Sequence, residues 1–105
     1  MTLECLMDIV EETGLPVAYR MFKEGEAPQL PFICVVDDQT NNFMADGKVL
    51  LEVHRVDIEL YTKVKDTDTE QKIKKVLNDY EIPWQQSEEY LESEQCYEEI
   101  FTVEV

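Results

Sequence analysis

From Val56 to Tyr61 the chain alternates: Val56, Ile58 and Leu60 fall on one side, and Arg55, Asp57, Glu59 and Tyr61 on the other. Strict period two marks a β-strand with one buried and one polar face, because successive side chains leave opposite sides of the pleat. The surrounding stretch Val49–Val64 reads as one strand, the centre of a single sheet. Sixteen residues is long for a strand, so a bend or bulge is expected near Val53 or His54.

The flanking segments supply partners. Leu3, Leu6, Met7 and Val10 share a face at helical spacing, predicting a helix over residues 2–13. Thr2 is placed to cap it, and Gly14 with Pro16 to end it. Pro16–Arg20 is partly extended and has the makings of a short strand. Pro31–Val36 begins a near-continuous apolar run, the mark of a central strand. Thr67 and Glu70 have capping-box spacing, and Ile73, Val76, Leu77 and Tyr80 continue as a helical face up to Pro83. Trp84 follows at once and reads as a lid on the core. Residues 83–91 and 96–105 read as two final strands. In the last, Tyr97, Phe101, Val103 and Val105 alternate with acids, and Ile100 is the exception. The predicted fold is α+β: one domain, residues 1–105, with a four-stranded, mainly antiparallel sheet and two helices packed on one face, in the order α-β-β-α-β-β.

Residues 37–48 form a polar connection between two strands expected to pair as a hairpin. It is long for that purpose, and long loops often carry function. Phe43 and Met44 are its apolar exceptions. They either fold back as a satellite of the core or stand exposed as anchors for a partner. Asp46-Gly47 is a turn signal. Phe43, Met44 and Asp46 are therefore the candidate partner-binding residues.

The net charge is −15, from 24 acidic and 9 basic residues. Direct binding to nucleic acid or to an anionic membrane is not expected, since both reward cations. The imbalance is uneven: residues 81–105 hold eight acids and no base, whereas residues 41–80 hold eight acids and seven bases. The acidic end reads as a solvated face, or as a surface that steers toward a basic partner. The three cysteines, Cys5, Cys34 and Cys96, are widely spaced. They suggest neither a disulfide framework nor a zinc site, and are read as buried free thiols of an intracellular protein. Neither a signal peptide nor an apolar stretch long enough to span a membrane is evident. His54, the only histidine, reads as a partly buried structural residue. No nucleophile, phosphate-loop or dinucleotide motif is present, so no enzyme activity, cofactor or metal is expected. Asp37-Asp38 and Glu88-Glu89 lack the spacing of a calcium loop.

Gly14-Leu15-Pro16-Val17-Ala18-Tyr19, Phe22, Glu24-Gly25, Leu30-Pro31-Phe32, Asn42-Phe43, Ala45-Asp46, Ile58-Glu59-Leu60-Tyr61 and Glu92-Ser93-Glu94 occur in this order along nearly the whole chain. In this the sequence resembles small proteins encoded among the structural genes of phages and prophages of Gram-positive bacteria, the tail or head–tail joining components. The resemblance implies a non-enzymatic virion assembly protein, similar to tail terminators and tail-completion proteins. It would act as a subunit of a ring-like homo-oligomer, commonly hexameric, and dock on other tail or connector proteins. It would reside in the virion, and in the bacterial host cytoplasm during assembly. The residue 39–48 loop is where contacts would be expected. A competing reading is an acidic phage protein that mimics DNA to inhibit a host nucleic-acid-binding protein.

Overall fold

A computed structural model describes residues 1–105. The elements in chain order are α1 (Leu3–Glu11), β1 (Val17–Tyr19), β2 (Phe32–Thr40), β3 (Phe43–Ala45), β4 (Lys48–Leu51), β5 (His54–Thr62), α2 (Thr67–Asp79), β6 (Gln85–Leu91) and β7 (Cys96–Glu104). Five strands form one sheet in the order β1-β2-β5-β7-β6, and β3 and β4 form a separate two-stranded sheet. All pairs are antiparallel except β1–β2, which is parallel.

This corrects the expected four-stranded, mainly antiparallel sheet in three ways. The fifth strand is β1, whose three residues are too few to show a period. It is recruited by tertiary pairing of Val17 with Ile33 and Tyr19 with Val35. The expected loop over residues 37–48 is mostly strand. β2 continues through polar Asp37–Thr40 because β5 offers it backbone partners as far as His54, and β3 and β4 then pair with each other. The stretch Val49–Val64 is not one strand: it breaks at Glu52–Val53 into β4 and β5, at the predicted bend.

β5 is central, and its alternation is realised. Val56, Ile58 and Leu60 are fully buried, with Ile33 and Val35 beside them on β2 and Phe101 and Val103 on β7. Leu6, Ile9 and Val10 of α1 and Ile73 and Leu77 of α2 complete this core, so both helices cover one face of the sheet. Trp84 packs on the core as a lid, edge-on to Phe101 at 5.8 Å between ring centres.

Helix caps follow local chemistry. The Thr2 hydroxyl accepts from the Cys5 amide at 3.1 Å. At α2 the cap is Asp66, not Thr67: its carboxylate accepts from the Thr69 amide at 3.1 Å and from the Thr69 hydroxyl at 2.6 Å. A carboxylate one residue earlier outcompetes the hydroxyl because it brings full charge to the helix N-terminus. Glu70, freed from capping, turns inward. Tyr80 is largely exposed, and its hydroxyl donates to Glu12, tying the two helix ends together. Cys34 and Cys96 are buried as expected, but Cys5 is exposed. No helix is long and apolar enough to cross a membrane.

Candidate interaction surface

The ribbon β3–β4 prolongs the β2–β5 pair beyond the sheet. Phe43 stands opposite Leu51, Met44 opposite Val49 and Ala45 opposite Lys48, with an irregularity that leaves Leu50 unpaired. Asp46 and Gly47 close it with φ of +52° and +73°. Positive φ at both central positions is what a tight two-residue hairpin turn demands, and Asp-Gly meets that demand at little cost. β3 and β4 contact each other and scarcely any other element, so the ribbon is an arm standing off the body. The molecule measures 48 × 29 × 23 Å, and its radius of gyration of 14.7 Å exceeds the ~13 Å expected of a compact chain of this length.

The arm is apolar and uncovered. Phe43 and Met44 are each 62% exposed, and Val49, Leu50 and Leu51 lie between 53% and 66%. Phe43 and Met44 are successive strand residues and so leave opposite faces. Neither face of the ribbon is shielded by the body. Phe43 and Met44 are therefore not a satellite of the core. Asp46 occupies the turn, where it shapes the arm rather than adding contact area. In the sequence Val49, Leu50 and Leu51 look like the start of the core strand, so nothing in V-L-L itself marks them as contact residues. The available signal was the Asp-Gly pair flanked by two apolar triplets, F-M-A and V-L-L.

The arm is fixed at its base by polar groups. The Asn41 amide donates to the Val53 carbonyl at 2.8 Å, and the Asn42 side-chain oxygen accepts from the Val53 amide at 3.0 Å. The Asn41 side chain donates to Glu104 at 3.0 Å, which links the base to β7. His54 is half-buried, with Nδ1 2.8 Å from Asp37 and Nε2 3.3 Å from Glu52, so it joins β2 to the β4–β5 connection.

The body holds two partly buried polar clusters. On the helix side, Lys65 Nζ lies 2.7 Å from Glu88, 2.8 Å from Glu70 and 3.6 Å from Glu99. The Gln86 amide donates to Glu70 at 2.9 Å and to Glu99 at 2.8 Å. The contact of Lys65 with Glu70 Oε2 is a charge contact without hydrogen-bond alignment. Contacts with Glu70, then Glu88, raise the pKa of Lys65, while Lys65 holds Glu88 low. Burial, then the neighbouring Glu88 carboxyl, raises the pKa of Glu99. The carboxyl oxygens of Glu70, Glu88 and Glu99 approach one another closely enough to hold a metal ion. The Lys65 ammonium already sits among them as the cation.

On the open face of the sheet, the Tyr61 hydroxyl is 3.0 Å from Glu59 and 2.6 Å from Glu98. Burial raises the pKa of both Glu59 and Tyr61. Burial also pushes the neighbouring Cys34 thiol up to about 11, so it stays protonated and is a poor nucleophile. A shallow cleft lies beside Trp84, between Arg55, Gln85, Thr102 and Glu104.

No protein-family model matches this chain, and no curated protein matches it.

Proposed function

We propose that this chain is a non-enzymatic virion assembly protein, a tail terminator, completion or head–tail joining component that acts as a subunit of a ring-like homo-oligomer. The family resemblance supplies the biological setting. The observation that carries the reading is the arm, a ribbon whose two faces are both apolar and both uncovered. A solitary two-stranded ribbon is at best marginally stable in water, and an exposed apolar patch of this kind marks a protein interface. Phe43 and Met44, joined by Val49, Leu50 and Leu51, are the contact residues. The body is the rigid base, and the asparagine-rich joint sets the direction of the arm.

The DNA-mimic reading needs exposed carboxylates in a row. On the open sheet face, Asp57 accepts from Thr102 at 2.8 Å, and Glu59 and Glu98 are engaged by Tyr61. Bound and half-buried carboxylates are poor imitations of phosphates, so this face lends the reading no support.

The test is removal of residues 43–51, with a short glycine turn joining Asn42 to Glu52, in a phage or prophage that carries this gene. The expected outcome is a folded protein and an accumulation of unjoined heads and tails. Joined particles at normal yield would refute the assembly role of the arm.

A further inference from the structure

The carboxylates beneath the start of α2 outnumber the donors that serve them. We infer that Glu70, Glu88 and Glu99 form a binding site for a single hard divalent cation of the calcium class. The Lys65 ammonium stands in for that ion and swings out when it enters.

The site follows from register. Glu88 of β6 stands directly opposite Glu99 of β7, and Glu70 joins them from the first turn of α2. Like charges facing each other across a strand pair repel, and a covered site sharpens the repulsion. Glu70 and Glu99 are only 3% and 1% exposed, so water does little to relieve it. Oxygens of the three carboxyl groups lie within 4.8 Å of one another. Two oxygens bound to one calcium ion at about 2.3–2.6 Å can stand that far apart, so one ion reaches all three groups without movement of the strands.

The resident donors leave two oxygens unserved. The Gln86 amide gives both hydrogens, one to Glu70 Oε1 and one to Glu99 Oε1. Lys65 donates to Glu88 at 2.7 Å but lies 3.6 Å from Glu99. Glu70 Oε2, which the ammonium meets only as a charge, and Glu99 Oε2 stay buried without a hydrogen bond. A buried acceptor in this state marks a missing partner. An ammonium must aim its hydrogens, whereas a spherical ion binds both oxygens of a carboxylate at once. The donors are carboxylate oxygens, the set that suits hard cations rather than zinc or copper. Glu88 and Lys65 are half-exposed. That opening admits the ion with its remaining water ligands, and lets Lys65 move to solvent on its flexible stem. The bound ion ties the start of α2 to the β6–β7 hairpin.

The test is calorimetric titration of CaCl2 into the chelator-treated full chain in about 0.15 M KCl, where charge attraction is screened beyond about 8 Å. The expected result is a single saturable site with a dissociation constant of about 0.1 mM, and magnesium at least about tenfold weaker because it demands shorter bonds and holds its water. Glu88→Gln alters the half-exposed ligand and is expected to weaken calcium binding at least about tenfold. Glu89→Gln removes the same charge from the opposite face of β6, and is expected to change affinity less than about twofold. Lys65→Gln removes the competing cation and is expected to tighten binding about tenfold. Its melting midpoint, lowered in chelator, is expected to recover with calcium. Absence of a saturable site up to about 10 mM calcium overturns the inference. So do equal losses in Glu88→Gln and Glu89→Gln, which mark diffuse attraction to an acidic chain, and an unchanged affinity in Lys65→Gln. Magnesium binding as tight as calcium overturns the assignment to a calcium-class ion.

Discussion

Two isoleucine- and phenylalanine-sized side chains measure the contrast between body and arm. Ile58 is fully buried at the centre of the sheet, and Phe43 is 62% exposed on the arm. Ile58→Ala is expected to cost about 2–5 kcal/mol in urea unfolding, from lost burial and the cavity left behind. Phe43→Ala is expected to change stability by no more than about 0.5 kcal/mol, as surface substitutions do. Buried Glu99 carries a different signature. Its pKa is raised above its ordinary 4.5 by burial, then by Glu88. The folded protein therefore binds a proton there more tightly than the unfolded chain does. That contribution to stability is complete below the unfolded value and is lost as pH rises through the folded one. Glu99→Gln keeps an acceptor oxygen for Gln86 and removes the titration. Melting followed from about pH 4 to about pH 8 is expected to show a flatter profile for the variant, with its midpoint at neutral pH at or above that of the unaltered protein. A variant that loses stability equally at all pH values would mean that Glu99 is ionised in the fold.

At the level of elements, the start of α2 depends on Asp66. Hydrogen bonds from Thr69 hold its carboxyl below the usual 3.8. Its contribution is therefore present above that value and fades as pH falls through the lower folded one. Asp66→Ala is expected to cost about 0.5–2 kcal/mol at neutral pH, and Thr67→Ala distinctly less, in paired thermal or urea unfolding. The reverse ranking would restore Thr67 as the cap. Backbone amides separate arm from sheet in the same way. The arm's hydrogen bonds lie between two exposed strands, whereas those of β5 are flanked by β2 and β7. Amide hydrogen exchange of the monomer is expected to be fast at Met44 and Val49 and slowest at Ile58 and Leu60. Protection gained at Met44 and Val49 as protein concentration rises would report arm docking.

Across the whole molecule, the body and the arm are energetically separable. The core lies between α1, α2 and one face of the five-stranded sheet, and no arm residue belongs to it. Excising residues 43–51 is therefore expected to leave the melting midpoint within about 2 °C, well under the shift that 1 kcal/mol produces in a domain of this size. Small-angle scattering of the monomer is expected to show the radius of gyration falling from 14.7 Å toward the compact ~13 Å. A large loss of stability would show that the arm braces the body after all, through Asn41 and His54.

Most features with a repeating local cause are legible in the letters alone; Tyr80, placed on the helical face by spacing yet largely exposed, is an exception. Alternation in Val56–Leu60 and Phe101–Val103 named the core face of the sheet, and helical spacing named Leu6, Val10, Ile73 and Leu77. Gly14 and Pro83 marked points by which the helices have stopped, and the length of Val49–Val64 marked a bend near Val53 or His54, though not the division into two strands. Phe43 and Met44 stood out as apolar residues in polar surroundings. Tertiary structure decided what depends on pairing at a distance. β1 is a strand only because β2 offers its edge, and Asp37–Thr40 remain extended only because β5 runs beside them. The Lys65–Glu70–Gln86–Glu88–Glu99 cluster joins residues up to thirty-four positions apart, and no spacing rule connects them. Whether Val49–Leu51 joins the core or leaves it could not be read from three apolar letters, because hydrophobicity names a need for burial and not the surface that meets it. In this chain the body does not meet it.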